Sequence, residues 1–141
     1  MGFFKDLKNK VTGGGATVRV HVATAQRGRP TPVKIEATAK ANGKVAAVYL
    51  LIRATENAQF KTDGGEKVSG SKVSYETRVS VAGAQEIKEG ETYNWDGVIE
   101  LPSSSSSTLR GSIIDHTWEI QAGLDMPGND PDSGWQTFEV T

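Results

Sequence analysis

The stretch ELPSSSSSTLRGSIIDHTWEIQAGLDMP, residues 100–127, decides how the chain is read. Its second half alternates with a period of two. Ile114, His116, Trp118, Ile120 and Leu124 fall on one parity, with polar residues between them, as in a half-buried β-strand over 112–124. In that register His116 is expected to be a satisfied core histidine rather than a base. Ser103 to Ser107 form a low-complexity run, expected to be a flexible, solvated loop.

The same alternation extends in both directions. In ATVRVHVATA, Val18, Val20 and Val22 share a face opposite Arg19 and His21. VKIEATAKA places Val33, Ile35, Ala37 and Ala39 inward and Lys34, Glu36 and Lys40 outward. KVSYETRVSVAG places Val73, Tyr75, Val79 and Val81 inward, with Ser74, Glu76 and Arg78 outward. AAVYLLIRATE is apolar on both parities and predicts a central strand covered on two sides. Further strands are expected over 84–88, 91–101 and 135–140. RGRPTP, KTDGGEKVSGSK, KEGE and MPGNDPDSG are read as the joints, being rich in Gly, Pro, Asp and Ser. About eight such strands predict an immunoglobulin-like antiparallel β-sandwich over residues 16–141. Ahead of it, Phe3, Phe4, Leu7 and Val11 predict a short helical segment, joined through a Gly-rich link to make residues 1–15 a unit of their own. That segment is expected to dock on the sandwich, with weak peripheral membrane contact through residues 1–12 as the sharper alternative.

The acidic turn GLDMPGNDPDSGW, residues 123–135, raises the question of a metal. An EF-hand loop begun at Asp130 finds Asp132 at its third position, but Gly134 at the fifth and Thr141 at the twelfth, so that motif fails. A looser calcium site would need Asp125, Asp130 and Asp132 to converge. Asp130-Pro131-Asp132-Ser133 followed by Gly134 is explained as well by a type I turn. Metal, cofactor and catalytic assignments are therefore all set at none. The loops at 26–32 and 125–134 are taken as candidate contact surfaces, through Arg27, Arg29, Asp125, Asn129, Asp130 and Asp132.

Composition narrows the function classes. The 141 residues include no cysteine, which rules out disulfides and thiol chemistry and suits a reducing, cytoplasmic setting. No apolar run is long enough to span a membrane as a helix. The net charge of −1 covers an asymmetry: residues 1–61 carry 11 Lys/Arg against 3 Asp/Glu, and residues 62–141 carry 5 against 14. Unless folding interleaves the two halves, the domain is polarised. No serine lies in a GxSxG turn, no phosphate-binding signature follows Gly13-Gly14-Gly15, and no basic–aromatic pattern points to nucleic acid. Trp95, Trp118 and Trp135 raise a carbohydrate platform as an alternative, with rim-packed or core aromatics the commoner outcome.

The segment quoted first also resembles the signature of arrestin N-terminal-like domains. The matching residues are Leu101-Pro102-Ser103, a variable serine loop, Gly111, then Trp118, Ile120, Ala122, Leu124 and Asp125, with Pro127 close behind. The opening MGFFKDLKNKVTGGGATVRVHV is similar to that of the bacterial sporulation-control proteins of the same clan. His116 stands where such proteins usually carry an aliphatic residue. The chain has the length of one sandwich, so a two-lobed receptor cradle is not carried over. The resemblance implies a non-enzymatic, intracellular protein-binding or adaptor module, regulatory in character, its partner and oligomeric state unassigned. Strand addition at an edge formed by residues 16–24, or recognition by the end loops, is the expected mode. A calcium- or sugar-binding sandwich is the competing function.

Overall fold

The computed structural model describes residues 15–141. Among these residues the secondary structure is all β: β1 (Ala16–Val22), β2 (Pro30–Ala39), β3 (Gly43–Val45), β4 (Ala47–Lys61), β5 (Lys67–Ala82), β6 (Gln85–Ile87), β7 (Thr92–Glu100), β8 (Leu109–Arg110), β9 (Ile114–Asp125) and β10 (Gln136–Phe138). The helical segment expected at the N-terminus, and with it any docking or membrane contact, lies outside the described residues.

Two antiparallel sheets enclose the core. The smaller has the order β1-β2-β7; the larger runs β10-β9-β4-β5, with β8 added beside β9. The two-stranded ribbon β3-β6 is separate. From the small sheet Val18, Val20, Val33, Ile35 and Ala37 face inward; from the large sheet Leu50, Ile52, Ala54, Trp118, Ile120, Ala122 and Leu124 meet them. Burying each such side chain removes apolar surface from water at about 25 cal/mol per Å², the main stabilising term of the fold. Alternation suffices for β1 and β2 because each presents one face to water. β4 lies between β5 and β9 and is apolar on both parities over Val48–Leu51, as its sequence predicts.

Charge is interleaved by the topology. The basic first half supplies β2 and β4, and the acidic second half supplies their neighbours β7, β5 and β9. Arg53 on β4 accordingly meets Glu119 on β9, Nε to Oε1 at 3.1 Å.

Three local expectations are corrected. KTDGGEKVSGSK is not wholly a joint: β4 runs to Lys61 and β5 begins at Lys67, so only 62–66 turns. There Thr62 N–H donates to Glu66 O, Thr62 Oγ1 accepts from Glu66 N–H, and Gly65 takes a φ of 82°. Val-Ser-Gly-Ser is weak strand material, but pairing with the tail of β4 overrides propensity. Val73 is 49% exposed rather than inward. Tyr75 pairs with Ala54 and Val73 with Thr55, so Ser74 is an extra residue, and the bulge sends Val73 to the opposite face. Ile114 shares the parity of His116 and Trp118, yet it is 45% exposed and lines an open cleft.

Candidate functional site

The open edge of β1 follows from its hydrogen-bond phase. Its register with β2 is unbroken from Ala16↔Ala39 to Val22↔Val33. One step beyond, Lys40 N–H donates to Gly15 O at 2.9 Å, which makes Gly15 and Lys40 a bonded pair. Bonded and non-bonded pairs alternate along an antiparallel ladder. Thr17, Arg19 and His21 therefore direct their main-chain groups at β2, while Ala16, Val18, Val20 and Val22 direct theirs at the edge. No other described strand pairs with β1. The remaining edges suit strand addition less well. β5 is interrupted by two register shifts, β10 is three residues long, and β7 carries a glycine, Gly97, in mid-strand.

The acidic loop folds back on β9. Leu124 N–H donates to Pro131 O at 3.0 Å and Ser133 N–H to Ala122 O at 2.9 Å. Asp130 uses both carboxylate oxygens: Oδ2 accepts from Tyr49 Oη–H at 2.8 Å, and Oδ1 from Met126 N–H at 3.1 Å. Asp132 Oδ1 accepts Gly134 N–H at 2.8 Å, a local bond of an Asp to the backbone two residues on, in place of the type I turn expected over 130–133, where Ser133 N–H goes to Ala122 O instead. Burial and the bond to Asp130 push the Tyr49 phenol well above its ordinary value. Among the described residues no three His, Cys, Asp or Glu side chains gather as a metal site. Asp125, Asp130 and Asp132 do not converge, and two of the three are occupied by protein donors. Asn129 and Asp130 sit at the loop's outer turn, and the Asp125 carbonyl accepts Ala46 N–H at 2.8 Å.

Arg27 and Arg29 lie at the other end of the molecule. Gly15, at the start of β1, has Met126 and Pro131 as its nearest neighbours. Past the end of β1, Gly28 N–H instead donates to Leu101 O at 2.6 Å and Arg27 N–H to Thr141 O at 3.1 Å. The seven residues of β1 hold the two loops about 20 Å apart, so they do not form one surface.

The serine run differs most from expectation. Three consecutive carbonyls are held by side chains from three places in the chain. Ser105 O accepts Arg27 Nη1 at 2.7 Å, Ser106 O accepts Trp118 Nε1 at 2.9 Å, and Ser107 O faces His116 Nδ1 at 3.0 Å. A carbonyl only accepts, so Nδ1 carries a proton, while Nε2 lies 2.6 Å from the Ser74 hydroxyl oxygen, which also reaches the Ala54 carbonyl at 3.3 Å. His116 is buried, with the Trp118 ring edge-on at 5.8 Å. It is the satisfied core histidine that its register predicts. What the sequence lacked was any sign that His116, Trp118 and Arg27 would act on one loop.

The other tryptophans have neighbours of their own. Trp95 stacks with Tyr93 at 6.1 Å and donates to Gln85 Oε1, and Trp135 lies under the Arg53 guanidinium at 3.9 Å. A cleft of about 500 Å³ follows the outer side of the β4–β5 hairpin, where Asn57, Gln59, Ser69, Ser71 and Asp115 offer only neutral amides, hydroxyls and one carboxylate bonded to Asn57.

This architecture can be set beside known proteins. A crystal structure of the sporulation control protein Spo0M from Bacillus subtilis superposes with a TM-score of 0.62 at 17% identity, over 90% of this chain and 49% of that one. The likeness is one of fold. The chain thus spans about half the length of Spo0M, and the arrestin-like resemblance read from residues 100–127 and the sporulation-control likeness read from the opening hold at the level of architecture. No family model and no curated protein sequence matches the chain. Among the described residues no helix is long and apolar enough to cross a membrane.

Proposed function

We propose that this chain is a non-enzymatic protein-binding module, regulatory in the manner that the name of its structural neighbour implies, acting in the cytoplasm. The observation that carries the reading is the β1 edge, with four residues whose main-chain groups point away from β2 in unbroken register. An extended segment of a partner would add there as a further strand, bonded through those groups. No bulge or proline interrupts β1, and of the devices that usually blunt an edge it carries only the outward charge of Arg19.

The Ser74–His116 contact has the pairing of a nucleophile and a base, but the ring is fixed on both sides and supports the serine loop. We therefore read it as structural.

Val22→Pro tests the edge. It removes one edge-directed donor at the end of β1, where the side chain is half-buried and no bond to β2 is lost. A protein captured from cells by the native chain should be lost with this variant, while Asp132→Asn, at the far loop, should retain it. Equal capture by all three chains would refute strand addition at β1.

A further inference from the structure

The cleft of about 500 Å³ on the outer side of the β4–β5 hairpin is built by strand register. Ile52 and Ala54 of β4 face the core, so Asn57 and Gln59, on the other parity, face outward. Asn57 stands between Ser71 of β5 and Asp115 of β9. Two residues on, Gln59 stands opposite Ser69, and its N–H donates to Ile113 O at 2.8 Å. Residues opposite one another share a face, so these side chains form a grid, about 4.8 Å between strands and about 6.8 Å between rows. The 111–113 segment supplies the remaining wall. It can close this tightly because residue 111 is glycine: a Cβ there would strike the Ile114 carbonyl. Asn57 Nδ2 donates to Asp115 Oδ1 at 2.9 Å, which orients both groups and leaves Asp115 Oδ2, Asn57 Oδ1 and one amide N–H to spare. Gln59, Ser69, Ser71 and Ser112 make no side-chain bond within the described residues.

This lining selects among ligand chemistries. No lysine or arginine lines the cleft, so nothing in it pairs with a phosphate or carboxylate. Lys61 and Lys67 stand opposite one another a row further out, beyond the lining residues. One carboxylate, already bonded to Asn57, is too few ligands for a metal ion. The apolar side chains are Ala58 and Ile113, too little surface for a lipid chain. What remains is a set of donors and acceptors for several hydroxyl groups, beside one aliphatic side chain that is 53% exposed. A sugar ring is the complement: hydroxyls on its rim, C–H groups on its face, and little freedom to lose on binding. We propose that this cleft binds a neutral sugar, two neighbouring hydroxyls on Asp115 and Asn57, others on Gln59 and Ser71, and the C–H face on Ile113. The volume lies within the range of small-ligand clefts, about 300–1,000 Å³. The site goes beyond the protein-binding reading and shares no residue with β1, so either can fail while the other stands.

The test is a nuclear magnetic resonance titration of the full chain with methyl α-glucoside, methyl α-mannoside, methyl β-galactoside, glucuronate and cyclohexanol. At least one of the three neutral glycosides should shift the amides of Asn57, Gln59, Ser69, Ser71, Gly111 and Asp115 saturably. Half-saturation is expected at about 1–10 mM, the affinity of a few uncharged hydrogen bonds. Asp115→Asn keeps the shape but weakens the acceptor, and Ile113→Ser, at an exposed position, removes the aliphatic contact; each should weaken that glycoside severalfold. Cyclohexanol, a ring with one hydroxyl, should leave these amides unmoved. Silence of all three glycosides at about 100 mM, or shifts confined to residues outside the cleft, would overturn the proposal. So would equal binding of cyclohexanol, or a titration unchanged by both substitutions. Tighter binding of glucuronate, with shifts at Lys61 and Lys67, would overturn the assignment of a neutral ligand.

Discussion

Gly123→Ala probes the packing that joins β9 to the acidic loop. Gly123 lies on β9 opposite Tyr49 of β4. A Cβ added there would be 2.4 Å from Tyr49 Cζ, 2.5 Å from Oη and 2.8 Å from Cε2. The ring cannot simply swing aside. It is buried, donates to Asp130 Oδ2 at 2.8 Å, and carries the Arg78 guanidinium 4.0 Å from its centroid. If the ring holds, overpacking costs about 1–3 kcal/mol. If it moves, a hydrogen bond to a charged acceptor, typically 1.5–3 kcal/mol, and a cation–π contact of about 0.5–1 kcal/mol are weakened. Relief of glycine's unfolded-state entropy returns about 0.5–1 kcal/mol. A net loss of roughly 2 kcal/mol is expected, read from urea denaturation at constant m-value. Tyr49→Ala is itself destabilising but removes the obstacle, so adding Gly123→Ala to it should cost nothing more. A change within about 0.5 kcal/mol for Gly123→Ala, or additivity in the double variant, would refute the steric reasoning.

Other outcomes follow from the same contacts. Tyr49 keeps its proton in the folded state beyond the ordinary phenol range, so its contribution is complete below about pH 10 and is lost as pH rises through the raised folded value. Tyrosinate absorbance should show a late-titrating phenol that disappears in Tyr49→Phe. Trp118→Phe keeps the core ring but strands the Ser106 carbonyl; a loss of about 1–2 kcal/mol and faster amide exchange across 103–108 are expected. Unchanged exchange there would mean that the indole does not hold the loop. Calcium should leave the melting temperature unchanged, because Asp130 and Asp132 are committed to Tyr49, Met126 and Gly134. A saturable upward shift would overturn that account.

Much of the fold was legible because most strands sit with one face in water, and a two-residue period then reports burial directly. β1 and β2 follow it residue by residue, β9 does so from His116 to Ala122, and β4 announces itself by being apolar on both parities. The misses have physical causes. A bulge inverts parity without any mark in composition, which is why Val73 emerged on the wrong face. Ser-Gly-Ser in β5 is strand only because the tail of β4 is there to pair with it. The serine run reads as solvent-loving because its side chains are, whereas its order comes from carbonyls, and every residue has a carbonyl. Of the candidate surfaces at 26–32 and 125–134, residues 30–32 already belong to β2 and Asp125 to β9, and the placement of the two at opposite ends depended on topology. Gly123 was visible only as part of a motif; Tyr49, seventy-four positions earlier, explains it.

The central claim is strand addition at β1, and its most direct measurement is residue-resolved hydrogen exchange with and without the captured partner. In the free chain the amides of Thr17, Arg19 and His21 should exchange slowly, being bonded to β2, and those of Val18, Val20 and Val22 faster. Binding should slow Val18, Val20 and Val22 selectively, erasing the alternation. Partner-induced protection elsewhere, with the alternation along β1 intact, would contradict the account.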